Sequence, residues 1–466
     1  MVFSSTIFLC VYLPLVLLGY YICPKRGRNL FLLIASLIFY AWGEPKYVLL
    51  MVFSILVNYI FGRLMDKNRA NTKRLKLMLV LSVIIDLGLL GVFKYTDFII
   101  TNVNAVFGGN FDLLHIALPI GISFYTFQAM SYTIDVYRDD VRVQKNLIDF
   151  GMYITMFPQL IAGPIVRYSD VEDQLAQRSV MSGEFAEGVM RFVVGLGKKV
   201  LLANQIGAVW SEIYAMGGVS GALAAWVGAA AFTFQIYFDF SGYSDMAIGL
   251  GKMFGFKFPE NFNYPYQSVS ITDFWRRWHI TLSTWFKEYL YIPLGGNRRG
   301  LARQALNLLI VWSLTGFWHG AGWNFIMWGL YYFVILFVEK LFVLKALDKT
   351  PKFVRHIYAL FLIVIGWVIF ASDDVSVLLP YLGSMFGANG ALGGLDVYWL
   401  TTKGVLLIVC AIASTQLPKR LFVTATDKLG EKGAFAVRGV LTLVLLAVSM
   451  VFLIGDSYNP FLYFRF

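Results

Sequence analysis

The chain alternates long apolar runs with short polar breaks from one end to the other. Thirteen runs are candidate membrane helices, and they cover residues 3–21, 30–43, 46–62, 77–93, 115–134, 147–166, 188–212, 222–250, 304–319, 323–343, 356–371, 402–417 and 438–455. A straight crossing takes about 20 residues, so the shorter runs indicate tilted, broken or re-entrant helices. The pattern predicts an all-α polytopic membrane protein.

Basic loops limit how many of these runs cross the membrane. Lys and Arg favour the cytoplasmic side, and clusters follow the first and third runs, at 25–28 and 63–76. The basic stretch 252–303 would lie outside if every run between 147 and 250 crossed, so we expect that at least one does not cross fully. We therefore predict about 11 crossings with re-entrant and interfacial helices, in one integral unit over residues 1–466.

The first run has no basic leader before it and no small-residue cleavage site after it. A cleaved signal peptide usually has both features. We therefore expect residues 3–21 to form a retained spanning helix, with its start outside and the basic cluster that follows it on the cytoplasmic side.

The segment 259–300 has a different pattern from the runs around it. Aromatic and apolar residues recur at three- and four-residue intervals, at Ile271, Phe274, Trp275, Trp278, Leu282, Trp285 and Tyr289. Ser270 and Asp273 have the spacing of a capping box, which marks the start of a helix. The pattern predicts a single basic, Trp-rich amphipathic helix that lies in the plane of the cytoplasmic interface.

Composition agrees with a membrane protein. Of the 466 residues, 58% are apolar and 14% are charged, whereas a soluble protein has about a quarter charged residues. A disordered, fibrous or ordinary cytosolic protein is therefore excluded. The net charge of +11 is explained by the basic loops, so we expect no nucleic-acid partner. Three scattered cysteines predict neither a disulfide framework nor a metal site, and we expect no bound cofactor.

His319 is the strongest candidate for chemistry. It ends an apolar run between glycines and tryptophans, where an ionisable side chain needs a functional or structural reason. A neutral imidazole, with a reference pKa of about 6.5, can take the proton of a hydroxyl that attacks a carbonyl. The alternative is a neutral histidine that is hydrogen-bonded between helices. Trp318 and Asn324 could shape such a site or hold the carbonyl oxygen.

Further candidates lie on either side of the predicted amphipathic helix. His279 is either a second functional histidine or an interfacial histidine with a solvated tip. Asp239 and Asp245 predict a buried polar network, and we expect the following basic stretch to supply their partners. Arg276 and Arg277 could bind an anionic donor, although the positive-inside rule alone also explains them.

Taken in order, short motifs of this chain resemble those of the membrane-bound O-acyltransferases, and within them the alginate O-acetyltransferase branch. The matching motifs lie at residues 1–5, 118–128, 157–164, 237–245, 274–279, 316–320 and 459–461. The resemblance implies acyl transfer in a central membrane-embedded tunnel. It also implies that His319 is the catalytic histidine of a Trp-His-Gly motif, and that His279 is the second histidine.

The resemblance further implies the substrates and the location. We expect acetyl-CoA or another acyl thioester as the donor, an extracytoplasmic polysaccharide as the acceptor, and the bacterial cytoplasmic (inner) membrane as the site. A separate extracytoplasmic acetyltransferase is the expected partner. Two alternatives stay open. One is D-alanyl transfer from a carrier protein to teichoic acid, and the other is a glycan or ion transporter whose path His319 and Asp239 line without covalent chemistry.

Overall fold

The structure is a computed structural model, and it describes residues 1–216, 221–393, 396–455, 459, 461 and 462. The described residues contain helices and no strand, which confirms the predicted helical class. The chain divides into two compact units. The first contains Met1–Phe192 and Ser244–Pro259, and the second contains Val193–Tyr243 and Glu260–Phe466.

The helices are numbered here in chain order. Helices α1 to α10 are Phe8–Ile22, Arg28–Gly43, Val48–Lys67, Thr72–Phe107, Ile122–Arg138, Leu147–Thr155, Phe157–Leu160, Tyr168–Ala176, Ser182–Tyr214 and Ala222–Met253. Helices α11 to α20 are Ile271–Trp275, Ile280–Phe286, Leu301–His319, Trp323–Val338, Leu344–Leu347, Lys352–Ala371, Val375–Met385, Asp396–Ala413, Leu417–Asp427 and Gly430–Gly455. Short π-helical segments extend α12 (Lys287–Tyr291) and α14 (Glu339–Val343).

Local sequence signals set several helix ends. The side chain of Asn71 caps α4 by accepting a hydrogen bond from the backbone N–H of Arg74, which satisfies a donor that the first turn leaves free. Gly108 follows the last residue of α4 and has a φ of 65°. Gly121 precedes α5 with a φ of 76°. Glycine adopts this left-handed conformation without a Cβ clash, so the chain can turn at both points.

Seven described helices are long and apolar enough to cross a membrane, namely α3, α4, α9, α10, α16, α18 and α20. The most apolar part of α20 is only 6% buried by the rest of the protein. Apolar surface of this extent requires a lipid environment. The chain is therefore a multi-pass membrane protein, and the number of about 11 crossings stays a prediction.

The run at 147–166 does not form one long helix. Helix α6 has nine residues and α7 has four, and Met156 between them has an extended ψ of 109°. Both helices are much shorter than the roughly 20 residues of a straight crossing. That at least one run between 147 and 250 does not cross fully stays a prediction.

The prediction of one continuous amphipathic helix in 259–300 is wrong. Its start is confirmed, because the hydroxyl of Ser270 accepts a hydrogen bond from the backbone of Asp273. Helix α11 nevertheless ends at Trp275, and α12 begins only after His279, whose φ is 44°. Trp278 is 3% exposed, so it packs inside the second unit instead of facing a lipid interface.

Tertiary hydrogen bonds explain the break between α11 and α12. The carbonyl of Asn261 accepts a hydrogen bond from the N–H of Ile280, and the N–H of Asn263 donates to the carbonyl of Arg277. The N–H of Ile280 and the carbonyl of Arg277 therefore bond to the segment 261–263, whereas in a continuous helix they would bond within the helix. Periodicity of the side chains could not reveal this competition.

Candidate active site

Close packing of α13 and α14 fixes the position of His319. A Cβ atom at Gly316 would collide with the carbonyl oxygen of Phe325, and one at Gly329 would collide with that of Trp312. Small residues at such positions let two helix backbones approach closely in a membrane protein. His319 is the last residue of α13, so this packing determines where its imidazole lies.

His319 lines a cavity in the second unit with an empty volume of about 410 Å³. The other lining residues are Ile236, Asp239, Phe240, Trp278, Trp328, Trp367, Phe370, Phe461 and Leu462. Apart from His319 and Asp239, this lining is aromatic or aliphatic. An apolar lining of this kind lowers the local dielectric constant and so strengthens the few polar interactions inside the cavity. In the described part of the chain, no group of three or more His, Cys, Asp or Glu side chains could hold a metal ion.

Aromatic rings hold the imidazole of His319, and those of Trp318, Trp328 and Phe370 are among them. Its ring centroid lies 5.0 Å from that of Trp318, 5.1 Å from that of Trp328 and 5.3 Å from that of Phe370. The interplanar angles are 78°, 83° and 82°, which is the edge-to-face geometry that aromatic pairs favour. Trp328 and Phe370 come from α14 and α16, and the sequence motifs gave no indication of their role.

The structure brings both candidate histidines to the same tryptophan. The ring of Trp318 lies 6.2 Å from that of His279 and 5.0 Å from that of His319. Phe240, which lines the cavity, contacts His279 edge-on at 4.7 Å. His279 is 1% exposed, so the alternative of an interfacial histidine with a solvated tip is wrong.

Asn261 determines which nitrogen of His279 carries the proton. The Nδ1 atom of His279 lies 3.1 Å from Oδ1 of Asn261. The same Oδ1 accepts hydrogen bonds from the backbone N–H and the hydroxyl of Thr281. An atom that accepts from a backbone N–H is the amide oxygen, so Nδ1 of His279 must be the donor.

The remaining nitrogen of His279 is therefore an acceptor. His279 lies outside the seven candidate spans, and burial lowers its pKa to about 3, so the ring is neutral at pH 7. Its Nε2 atom is buried and makes no hydrogen bond within the described residues. A neutral imidazole with its proton on Nδ1 offers a lone pair at Nε2 for a substrate hydrogen bond or proton.

Asp239 is bound by neighbours other than those expected. Its Oδ1 atom lies 2.6 Å from Nζ of Lys199, and both side chains are 3% exposed. Its Oδ2 atom accepts a hydrogen bond of 2.9 Å from the N–H of Leu462. The charge of Asp239 is thus neutralised where it lines the cavity, and the interaction belongs to a structural polar network.

The prediction that the basic stretch after α10 pairs with these acids is wrong. Asp239 pairs with Lys199, and Asp245 pairs with Arg191 of α9 at 2.9 Å. A Cβ atom at Gly242 would come within 2.8 Å of the carbonyl oxygen of Gly195. Helices α9 and α10 therefore pack closely, and cations of α9 reach the acids of α10 first.

Three other predicted site residues, Asn324, Arg276 and Arg277, do not line the cavity. Asn324 donates a hydrogen bond of 3.0 Å to the carbonyl of Phe370, which ties the start of α14 to the end of α16. Arg276 is exposed, and Arg277 forms an ion pair of 2.9 Å with Asp273. Asn324 therefore positions the cavity wall, while the guanidinium of Arg277 is engaged by Asp273.

Glu339 anchors the segment that carries His279, and it was not predicted from the sequence. This fully buried carboxylate accepts hydrogen bonds from the N–H groups of Ile271 and Thr272, at 2.7 and 2.8 Å. These are donors that the start of α11 leaves free, and a carboxylate there is also favoured by the helix dipole. The available signal was an acid inside the apolar run 323–343.

Known proteins resemble this chain over most of its length. The profile of the membrane-bound O-acyltransferase family matches residues 138–379, which include both histidines. The chain is 40% identical to a probable alginate O-acetylase of Azotobacter vinelandii and 42% identical to one of Pseudomonas putida, over the full length of each pair. It is 38% identical to a peptidoglycan O-acetyltransferase of Helicobacter pylori, over 84% of this chain and 80% of that one. The chain therefore belongs to the membrane-bound O-acyltransferase family, whose members are acyl-transferring enzymes.

Proposed function

We propose that this protein is an O-acetyltransferase of the bacterial cytoplasmic membrane. It moves an acetyl group from a cytoplasmic thioester to hydroxyls of an extracytoplasmic polysaccharide, either directly or through a partner acetyltransferase. The observation that carries the proposal is the buried imidazole of His319 at a cavity that is otherwise mostly apolar. The alginate and peptidoglycan O-acetylating relatives support the choice of acetyl group and of a glycan acceptor.

In the proposed step, His319 acts as the general base. It takes the proton of the acceptor hydroxyl while that oxygen attacks the carbonyl carbon of the thioester. The carbon–sulfur bond then breaks, and the leaving thiolate receives the proton from His319. The products are an ester and a free thiol, and His319 returns to its neutral form. The surrounding aromatic rings, among them Trp318, Trp328 and Phe370, keep its orientation during the cycle.

His279 is proposed as the second catalytic histidine. Its Nε2 lone pair can accept a hydrogen bond or a proton from a substrate, whereas its protonated Nδ1 is committed to Asn261. The ring of Trp318 is near both imidazoles, with centroid distances of 6.2 Å to His279 and 5.0 Å to His319. We place the entry of the donor on the cytoplasmic side, near His279 and the basic residues Arg276 and Arg277.

A transport-coupled assay tests the proposal. Inverted membrane vesicles that contain the full-length protein, the candidate partner acetyltransferase and lumenal alginate are supplied with labelled acetyl-CoA on the outside. We expect acetyl label on the lumenal glycan. A parallel reaction offers a D-alanyl-loaded carrier protein with teichoic acid. Transfer of D-alanine alone, or passage of unmodified glycan without any acyl transfer, would overturn the proposal in favour of one of the two alternatives.

A further inference from the structure

A second group of buried polar side chains lies in the first unit. Asn58 of α3, Asp86 of α4, and Tyr125 and Gln128 of α5 are each at most 1% exposed. Helices α3, α4 and α5 pack against one another, and α3 and α4 are candidate membrane spans. Polar side chains at such depth are costly unless something satisfies them, so this group requires an explanation of its own.

The hydrogen bonds within this group leave several buried oxygen atoms without a donor among the described residues. Asn58 donates from Nδ2 to Oδ1 of Asp86 at 2.9 Å and to the carbonyl of Ser54 at 3.0 Å, which uses both amide protons. Four buried oxygens make no hydrogen bond with any described residue, and they are Oδ1 of Asn58, Oδ2 of Asp86, Oε1 of Gln128 and the hydroxyl of Tyr125. Carboxylate and amide oxygens are acceptors, so they cannot satisfy one another.

Several contacts place Asn58 and Gln128 at one level of the helix bundle. Tyr47, at the start of α3, donates to the carbonyl of Ala117 before α5, and Tyr59 donates to the carbonyl of Lys145 beyond its end. Helices α3 and α5 therefore run parallel. A Cβ atom at Gly62 would lie 2.8 Å from the ring of Tyr132. One turn earlier on each helix, Asn58 and Gln128 are at the same height.

The carboxylate of Asp86 also lacks a positive partner among the described residues. Tyr125 is close enough to interact electrostatically with Asp86, but a neutral phenol cannot neutralise a carboxylate. Asp86 forms no ion pair with any described Lys, Arg or His. An ionised carboxylate in a low-dielectric interior needs a positive partner.

We propose that Asn58, Asp86, Tyr125 and Gln128 form a binding site for a monovalent cation, Na⁺. Hard cations take oxygen ligands, as carboxylate, amide and hydroxyl groups provide here. One carboxylate supplies one negative charge, which matches a monovalent ion. The site is independent of the proposed acetyl transfer, and it would stabilise α3, α4 and α5 against one another.

Direct binding tests this proposal in purified full-length protein in lipid nanodiscs. We expect saturable binding of radioactive ²²Na⁺ to the wild type, competed by unlabelled Na⁺. Asp86→Asn should abolish the binding, because an amide cannot neutralise the ion. Gln128→Leu, which removes one ligand without changing the charge, should weaken it about tenfold. The control Asp66→Asn removes a carboxylate near the end of α3 and should bind like the wild type.

Thermal unfolding gives a second measurement that does not depend on a variant. Replacing N-methylglucamine by Na⁺ at constant ionic strength should raise the Tm of the wild type by about 2 °C or more, and this rise should saturate. Absence of both ²²Na⁺ binding and a Na⁺-specific rise in Tm would overturn the proposal. So would a Tm that responds to pH and not to Na⁺, because Asp86 would then be a protonated acid.

Discussion

The orientation of His279 depends on the side-chain amide of Asn261. Because that amide oxygen fixes the proton on Nδ1 of His279, its removal frees the ring to change tautomer and to rotate. We expect Asn261→Ala to lower the rate of acyl transfer about 10- to 100-fold, the cost of one or two lost buried hydrogen bonds. Single-turnover kinetics measure the rate, and ¹⁵N NMR of labelled histidine reports the tautomer.

Asn263 provides the matched control for this prediction. It lies two residues away on the same segment, and its structural role is a backbone hydrogen bond to Arg277. Asn263→Ala should therefore leave both the rate and the His279 tautomer unchanged. An Asn261→Ala protein with normal kinetics and a wild-type ¹⁵N spectrum would contradict the assigned role of Asn261.

The buried pair of Lys199 and Asp239 makes a prediction about stability. Lys199→Met or Asp239→Asn alone leaves the other group without its partner, and we expect a loss of about 3–5 kcal/mol in the free energy of unfolding. The double variant removes both charges and should recover most of this loss. Thermal unfolding of all four proteins gives the coupling energy directly.

A surface pair serves as the control for that cycle. Lys252 and Glu187 lie 2.8 Å apart, but their side chains are 32% and 60% exposed. Such exposed pairs contribute about 0–1 kcal/mol, so Lys252→Met and Glu187→Gln should have small effects. If the single substitutions at Lys199 and Asp239 lowered the free energy of unfolding as little as those at Lys252 and Glu187, the buried pair would not be structurally important.

The rule that selected His319 in the sequence applies to other residues as well. An ionisable side chain inside an apolar run needs a reason, and this condition also holds for Asp86 and Glu339. Sequence could therefore have indicated both acids, although not their partners. Asn261 had no such signal, because an amide in a polar loop is common and its role depends on a tertiary contact with His279.

At the scale of helices, the packing of α13 against α14 determines the position of His319. Gly316→Ala and Gly329→Ala would push a methyl group into a backbone carbonyl of the facing helix. We expect each to cost about 1–3 kcal/mol in stability and to reduce acyl transfer by displacing His319. Thermal unfolding and kinetics on the same samples measure the two effects.

Gly88 of α4 is a suitable control, because a Cβ atom there meets nothing within 4 Å. Gly88→Ala should be neutral or stabilising by up to about 1 kcal/mol, since alanine is the better helix former. If Gly316→Ala behaved like Gly88→Ala in both assays, close packing of α13 and α14 would not be what positions His319.

Helices were predicted well from the sequence where the physical signal is local. Apolar runs located most of the long helices, and the spacing of Ser270 and Asp273 gave the start of α11. The break at His279 could not be predicted, because the aromatic periodicity continues through it. Backbone hydrogen bonds to the segment 261–263 decide that geometry, and such long-range contacts leave no trace in the local pattern.

At the scale of the whole molecule, basic loops predict the orientation in the membrane. Helix α4 has 36 residues and is about 54 Å long, which exceeds the roughly 30 Å of the hydrocarbon core. Its ends should therefore lie on opposite sides. In a protein whose native cysteines are replaced by serine, Lys73→Cys should react with an impermeant maleimide only from the cytoplasmic side. Asn110→Cys should react only from the other side, and labelling of both from one side would contradict this topology.

The most direct test of the central claim is the rate of acetyl transfer after substitution of His319. Full-length protein in nanodiscs is given a labelled acetyl thioester and a glycan acceptor, together with the candidate partner, and a single turnover is followed. His319→Asn should lower this rate about 10²- to 10⁴-fold, the usual contribution of a general base. His115→Asn is the control, because His115 is exposed and has a φ of 48° that asparagine tolerates. It should keep the wild-type rate. A His319→Asn protein that transfers acetyl groups as fast as the wild type would contradict the account.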